Sequence, residues 1–382
     1  MKRLPLRASS ADNKATVLIA AVSGRALAAS ARRGGYVPLV TDFFGDLDTL
    51  DMADAHVRLD ELERGIDENA LFRALEKLTE QRAPLGVVCG SGFEGRTQLL
   101  QRLAQRWRLF GNSAETVAKV KNPEVLSSIC ADLDIPFPEC SLVEPRAPAD
   151  WLAKRKGGAG GSHVRPALHA HSVGGEIYYQ RKVPGMAVAA LFLADGERTS
   201  VLGFSAQWSL PTPHQPYRYG GAVRPAMLAP RTVDLLSAAV QRLAASMSLV
   251  GLNSADFLVD GELFWLLEIN PRPGATLDIF ELPERSLFAL HMAACAGKLA
   301  TTSRYPDGAK ASAIVYAENE ISCVPALDWP NWTADRPTAD STIKAGQPLC
   351  TVYACASNPT AARTITDERR KMVLAWMSGS KS

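Results

Sequence analysis

Short apolar runs alternate with amphipathic stretches over the first hundred residues. Residues 17–22 read as a buried strand, followed by a helix led by Gly24 that runs through Arg33 to a Gly34-Gly35 stop. Residues 37–41 give a second strand closed by Asp42, helical spacing fills about 66–82, and 85–89 give a third strand. Strand–helix–strand alternation of this kind predicts a small parallel sheet. From about 116 the period changes. Lys119-Val-Lys121-Asn-Pro opens a helix ending near Asp134, and 151–162 read as a strand running into a glycine-rich loop. Residues 177–185 form an edge strand closed by Pro184-Gly185, and 232–247 an amphipathic helix. Beyond about 306, short strands broken by Pro and Gly precede a helix from about 359, and 344–352 suggest a small barrel lobe. The expected fold class is α/β (α+β). Its expected parts are a loose tail at 1–14, a βαβ unit at 15–117, a central domain at 118–305 and a small β-rich lobe at 306–382.

The pattern is sharpest where the apolar run Leu263-Phe-Trp-Leu-Leu267 feeds into Glu268-Ile-Asn270-Pro-Arg272-Pro-Gly274. This reads as a buried strand whose far end opens into a site. With a period of two, Glu268, Asn270 and Arg272 project to one side. One strand upstream lies Asp256, and Asp260-Gly261 predicts a hairpin turn that lays Asp256 beside Glu268. Two carboxylates, an amide oxygen and a guanidinium suit a hard divalent cation beside a phosphate. Burying such a set without a purpose is costly.

Lys154-Arg-Lys-Gly157-Gly158-Ala-Gly160-Gly161-Ser162 carries a second argument. Four glycines in five positions cost too much chain entropy for a casual connector. Their amides are free to fold over polyphosphate oxygens, with Lys154 on the preceding strand neutralising phosphate charge. By contrast, Gly90-Ser-Gly92-Phe-Glu-Gly95 matches a dinucleotide fingerprint only superficially. The acidic residue expected roughly 20 positions on is Glu115, which sits in a helix cap. Ser91 and Glu94 instead read as part of a substrate wall. Arg218 and Arg224, in a segment without clear period, are candidates to meet an anionic substrate.

Composition narrows the classes. A net charge of +2 gives no reason to expect nucleic acid or a membrane surface. No run approaches the roughly 18 apolar residues of a spanning helix, and 17–22 are too short for an export signal. Seven cysteines without a C-x-x-C pair fit free thiols in a reducing cytoplasm. His163, His169 and His171 lack the Cys or carboxylate neighbours of a metal site. Trp329-Pro-Asn-Trp332 reads as packing.

Taken in order, a leading lysine, the glycine loop, an edge strand ending in Val183-Pro-Gly185 and Asp256…Glu268-x-Asn270 resemble the ATP-grasp superfamily. The likeness covers about 118–300, with a mobile glycine-loop lobe at about 140–205. It implies a pre-ATP-grasp domain before residue 118, and ATP and Mg²⁺ as cofactors, with Mn²⁺ as a substitute. Asp256, Glu268 and Asn270 would be the metal ligands; Lys121, Lys154 and the loop from Gly157 to Ser162 would hold phosphates. Lys119 fits the leading position as well as Lys121. Gln180, Lys182 and the main chain of Val183 would form the adenine hinge, although Gln180 stands where relatives usually have Glu. Biotin carboxylases follow Thr-Arg with a Glu three residues later that acts as bicarbonate base. Here Arg272 is followed by Pro-Gly-Ala-Thr276, so that carboxylate is absent, and Asp278 comes two residues too late. The purine carboxylases' His and Ser are also missing. The Gly90-Ser-Gly-Phe-Glu start is most similar to a carboligase-like branch associated with tetrahydromethanopterin- or methylofuran-linked one-carbon metabolism. The expected function is an ADP-forming ligase joining a small-molecule acid to an amine, with Lys154 and Arg272 serving the chemistry. A homodimer is a further expectation. The alternatives are a purine- or biotin-carboxylase-type enzyme and a non-catalytic ATP-binding regulator.

Overall fold

The computed structural model describes residues 14–60, 62–173, 176–299, 305 and 307–378. The tail expected at 1–14 therefore lies outside the described residues except for Lys14. The boundary expected at 305/306 likewise falls beside residues that are not described.

The chain begins with β1 (Thr16–Ala20), α1 (Arg25–Arg33), β2 (Val37–Asp42), α2 (Leu47–Met52), β3 (Ala55–Arg58), α3 (Glu68–Thr79), β4 (Val87–Cys89), α4 (Thr97–Arg106) and β5 (Leu109–Phe110). All five strands are parallel, in the order β3-β2-β1-β4-β5. The sequence pattern gave only three of them. β3 has no fully buried side chain and β5 is two residues long, so neither carries a readable apolar period.

The single helix expected from Lys119 is in fact two, α5 (Ala114–Lys121) and α6 (Pro123–Asp132). Asn122 ends the first and caps the second, its side chain accepting from the amides of Glu124 and Val125. Pro123 lacks an N–H and fits the first helical position, where none is needed. The break turns the last turn of α5 inward: the Lys121 side chain is 7% exposed, while Lys119 points out to Glu115 at 2.8 Å.

A small antiparallel sheet follows, built from β6 (Cys140–Ser141), β7 (Trp151–Arg155), β8 (Val164–Pro166) and β9 (Ile177–Arg181) in the order β6-β9-β7-β8. Trp151, Ala153, Ala167, Val173 and Tyr179 form its core. The glycine loop joins β7 to β8.

The remaining elements are β10 (Met186–Asp195), β11 (Thr199–Ser209), β12 (Tyr219–Arg224), α7 (Pro230–Ser246), β13 (Val250–Asp260), β14 (Leu263–Asn270), α8 (Leu277–Phe280), α9 (Leu287–Ala294), β15 (Ala309–Tyr316), β16 (Thr333–Ala334), β17 (Pro348–Ala356) and α10 (Pro359–Met377). Their eight strands make one sheet, ordered β14-β13-β10-β11-β12-β15-β17-β16. The strands expected at 306–382 as a small β-rich lobe join this sheet and, with α10, enclose a core of their own. β15 pairs with the edge of β12, so the last strands extend the central sheet. β10 is buried on both faces. Val188, Ala190 and Phe192 pack towards α6 and α7, whereas Leu191 and Leu193 pack towards α1, α8 and α9. The second of these cores also takes in Val17, Ile19, Val40 and Val88, and so joins the parallel sheet to the central one.

Candidate active site

The hairpin of β13 and β14 turns through Gly261-Glu262, with Gly261 at φ 61°, a left-handed position that suits glycine. Its register sets Asp256 opposite Glu268 and Ser254 opposite Asn270. Phe257 pairs with Leu266, so Leu267 is an extra, bulged residue that lines the cleft beside Glu268. Asn270 Nδ2 donates to Asp256 Oδ2 at 2.9 Å, and Gln207 Nε2 reaches Asp256 Oδ1 at 3.5 Å. Lys121 Nζ donates to Asn270 Oδ1 at 2.9 Å and to Glu268 Oε2 at 3.2 Å.

Burial, and then the charge of Glu268, push the Asp256 carboxyl up. Burial opposes ionisation of Glu268 too, but Lys121, Lys154 and His163 overcome it and hold that carboxyl down. Two half-buried carboxylates set opposite each other favour a cation between them. Among the described residues no group of three or more His, Cys, Asp or Glu side chains is poised to hold an ion. The donor chemistry of two carboxylates and an amide oxygen fits Mg²⁺, whose coordination is commonly completed by phosphates and water.

A cleft of about 350 Å³ opens beside Glu268 and is lined by Lys121, Gly157, Gly158, His163 and Tyr178 among others. Lys154 is buried and donates to Gln180 Oε1 at 2.6 Å; burial lowers its pKa, against the pull of Glu268. Gln180 Nε2 is buried without an oxygen or nitrogen acceptor, its thiol neighbour Cys140 being a weak one. The glycine loop is seated by main-chain contacts. A Cβ at Gly157 would collide with the backbone of Gly95, one at Gly161 with the Tyr217 carbonyl, and one at Gly158 with the His163 ring. Tyr219 N–H donates to Gly160 O at 3.0 Å. Ser162 lies exposed at the loop's far end.

Arg272 continues past the end of β14, and its Nε donates to Glu94 Oε1 at 2.6 Å. The other oxygen of Glu94 accepts the Gly92 amide at 2.8 Å. Burial works against the Glu94 charge, but Arg272 and Lys121 hold the carboxyl low. The turn at 90–95 is thereby a bracket for Arg272, pinned in turn by the Ser91 carbonyl, which accepts from Val22 N at 2.9 Å.

Other candidates lie apart from this cluster. Lys182 Nζ donates to Ala149 O at the surface, and Val183 is half-buried in the loop after β9. Arg218 donates to Leu210 O and lies over the Tyr316 ring. Arg224 donates to Ile279 O and lies over the Tyr305 ring. His169 and His171 are exposed, but His163 is buried and bonded to Ala159 O at 3.3 Å. The sequence reading missed Gln207 and Tyr178. The first sits in a stretch judged to have no period; the second is two residues before Gln180 on the same strand, a spacing that would have found it.

Residues 120–276 match the ATP-grasp domain family. Comparison by sequence with curated proteins finds no match. Among solved structures, the fold is similar to biotin carboxylase from Campylobacter jejuni in its β-γ-ATP complex, with a TM-score of 0.72 and 15% identity over 95% of each chain. It is also similar to the biotin carboxylase domain dimer of Hydrogenobacter thermophilus 2-oxoglutarate carboxylase, solved with MgADP, ADP and bicarbonate. Here the TM-score is 0.73 at 12% identity, covering 92% of this chain and 88% of that one. For N5-carboxyaminoimidazole synthetase from Staphylococcus aureus the values are 0.67 and 13%, over 94% and 97%. At these identities the likeness is one of fold. Residues 120–276 thus match an ATP-grasp domain, and the chain as a whole shares its fold with these proteins.

Proposed function

We propose that this protein is an ATP- and Mg²⁺-dependent ligase that joins a small-molecule carboxylate to an amine, releasing ADP and phosphate. The observation that carries the proposal is the convergence of Asp256, Glu268 and Asn270 with Lys121 beside a cleft bordered by the glycine loop. The MgADP and β-γ-ATP bound to the fold relatives support the choice of nucleotide.

In this reading Lys121, Lys154 and the amides from Gly157 to Gly161 take the phosphate charge. Gln180 Nε2 has a hydrogen left to donate to an adenine nitrogen, with Lys182 and the Val183 main chain beside it. Asp256, Glu268 and Asn270 would hold Mg²⁺, which supplies charge neutralisation and polarises phosphoryl oxygens when bound. A substrate carboxylate oxygen attacks the γ-phosphorus as the bond to ADP breaks. Arg272, held in place by Glu94, stabilises the charge that develops at the acyl phosphate. The amine then attacks the acyl carbon, phosphate leaves, and the amine gives up a proton. Catalysis of this kind is positioning and charge neutralisation, and it needs no covalent nucleophile from the protein.

One observation disfavours a bicarbonate-activating carboxylase. Asp278 is the carboxylate nearest the position of that enzyme's base, and it is already held by Arg25 at 2.7 and 2.6 Å and by Tyr353 at 2.8 Å. Arg218 and Arg224 are left out of the substrate site, because neighbouring carbonyls and rings engage both. The resemblance of the Gly90–Glu94 turn extends the proposal to one-carbon cofactor biosynthesis in the cytoplasm, and the dimeric relative to a homodimer.

The test is interception. With ATP, Mg²⁺, hydroxylamine and a panel of acids, the cognate acid should yield a hydroxamate together with ADP. Formation of AMP and pyrophosphate would overturn the mechanism, since it means attack at the α-phosphate.

A further inference from the structure

Three cations surround the cluster of carboxylates, but they are not equivalent. Lys154 spends its ammonium on Gln180, and Arg272 spends its guanidinium on Glu94. Lys121 alone among them donates to the proposed metal ligands, binding Glu268 Oε2 and Asn270 Oδ1 at 3.2 and 2.9 Å. The break at Asn122 drives this side chain inward and leaves it 7% exposed. Its ammonium thus holds the two oxygens that a divalent ion would need. An ammonium and a divalent cation cannot share those oxygens closely, because their repulsion at such range is strong even in a polar site.

Resting on the reading of the site given above, we infer that Lys121 is the cation site's placeholder, so that metal enters with nucleotide and not before it. Polyphosphate supplies the alternative anion that draws the ammonium off, and the flexible lysine stem lets it follow. Until then Lys121 keeps Glu268 paired and excludes free divalent ions.

Manganese binding to the full chain, followed by electron paramagnetic resonance without nucleotide, tests this directly. Lys121→Gln is one atom shorter and keeps hydrogen-bonding donors but removes the charge. It should bind Mn²⁺ at least about tenfold more tightly than wild type, a factor well within reach of one removed like charge. Lys154→Met removes a nearby charge that does not touch the ligands, and should gain much less. Equal affinity in wild type and Lys121→Gln, or an equal gain in Lys154→Met, would overturn the placeholder role. Should Lys121→Gln fail to fold, the wild-type protein still decides. It should take up little Mn²⁺ alone and bind it firmly once AMP-PNP is added; firm uptake before nucleotide overturns the inference. If neither wild type nor variant takes up Mn²⁺ even with AMP-PNP, the metal assignment itself fails, an outcome distinct from the others.

Discussion

Glu268 and Asp256 face each other across one register position, yet burial affects them differently because their neighbours differ. Lys121, Lys154 and His163 offset the cost of burying the Glu268 charge, whereas Asp256 meets chiefly the like charge of Glu268. Glu268 is accordingly the constant anion of the site. Changing it to Gln preserves shape and removes that charge. Phosphoryl transfer should then fall by at least about a hundredfold, the scale of losing one electrostatic stabiliser. Near-normal ADP production by this variant, measured with the acid found by hydroxylamine trapping, would reject the assignment.

At the scale of the element, the glycine loop shows what its composition is for. Gly157 has φ 67° and its α-carbon faces Gly95, with no room for a methyl group; Gly160 has φ 69° but nothing within 4 Å. Both positions would strain an alanine, but only Gly157→Ala would also prop the loop off the turn at 90–95. Its MgATP affinity, followed by tryptophan fluorescence, should weaken by roughly tenfold or more relative to Gly160→Ala, as displacing a positioned contact by an ångström commonly does. Equal losses in the two variants would mean that backbone strain, and not docking, governs the loop.

Across the whole molecule, the site rests on a junction of three segments distant in sequence. Arg25 of α1 binds Asp278 of α8, which follows β14, and Asp335 beside β16, at 3.0 Å for the latter. Tyr353 of β17 joins through its hydroxyl, and Asp48 accepts the amides of Asp335 and Arg336 at 2.9 Å each. Arg25 is buried, so its removal strands Asp278 and Asp335 as uncompensated anions. Arg25→Met should cost roughly 3–5 kcal/mol, the usual effect of breaking a buried ion pair from one side. Chemical denaturation would read it, and a loss below about 1 kcal/mol, the scale of a surface pair, would deny the junction its structural role.

The sequence by itself determined those features whose physics is local. The glycine at 261 marks the hairpin that lays the strands of Asp256 and Glu268 side by side, although their exact pairing also needs the turn at Gly261-Glu262 and the extra residue Leu267. Pro123 after Asn122 carries a helix boundary that apolar spacing alone ran through. The clustered glycines declare a loop free of Cβ atoms. Tertiary structure alone decided which of Lys119 and Lys121 serves the site, since both fit the same pattern and only the packing of α5 against β14 turns one inward. It also decided that Glu94 holds Arg272, that Gln207 reaches Asp256, that Arg218 and Arg224 are engaged elsewhere, and that the C-terminal strands extend the central sheet. Those side-chain contacts join residues from 8 to 178 positions apart. Several are side chains meeting across layers, where no periodicity in the chain records which neighbour will be brought within reach.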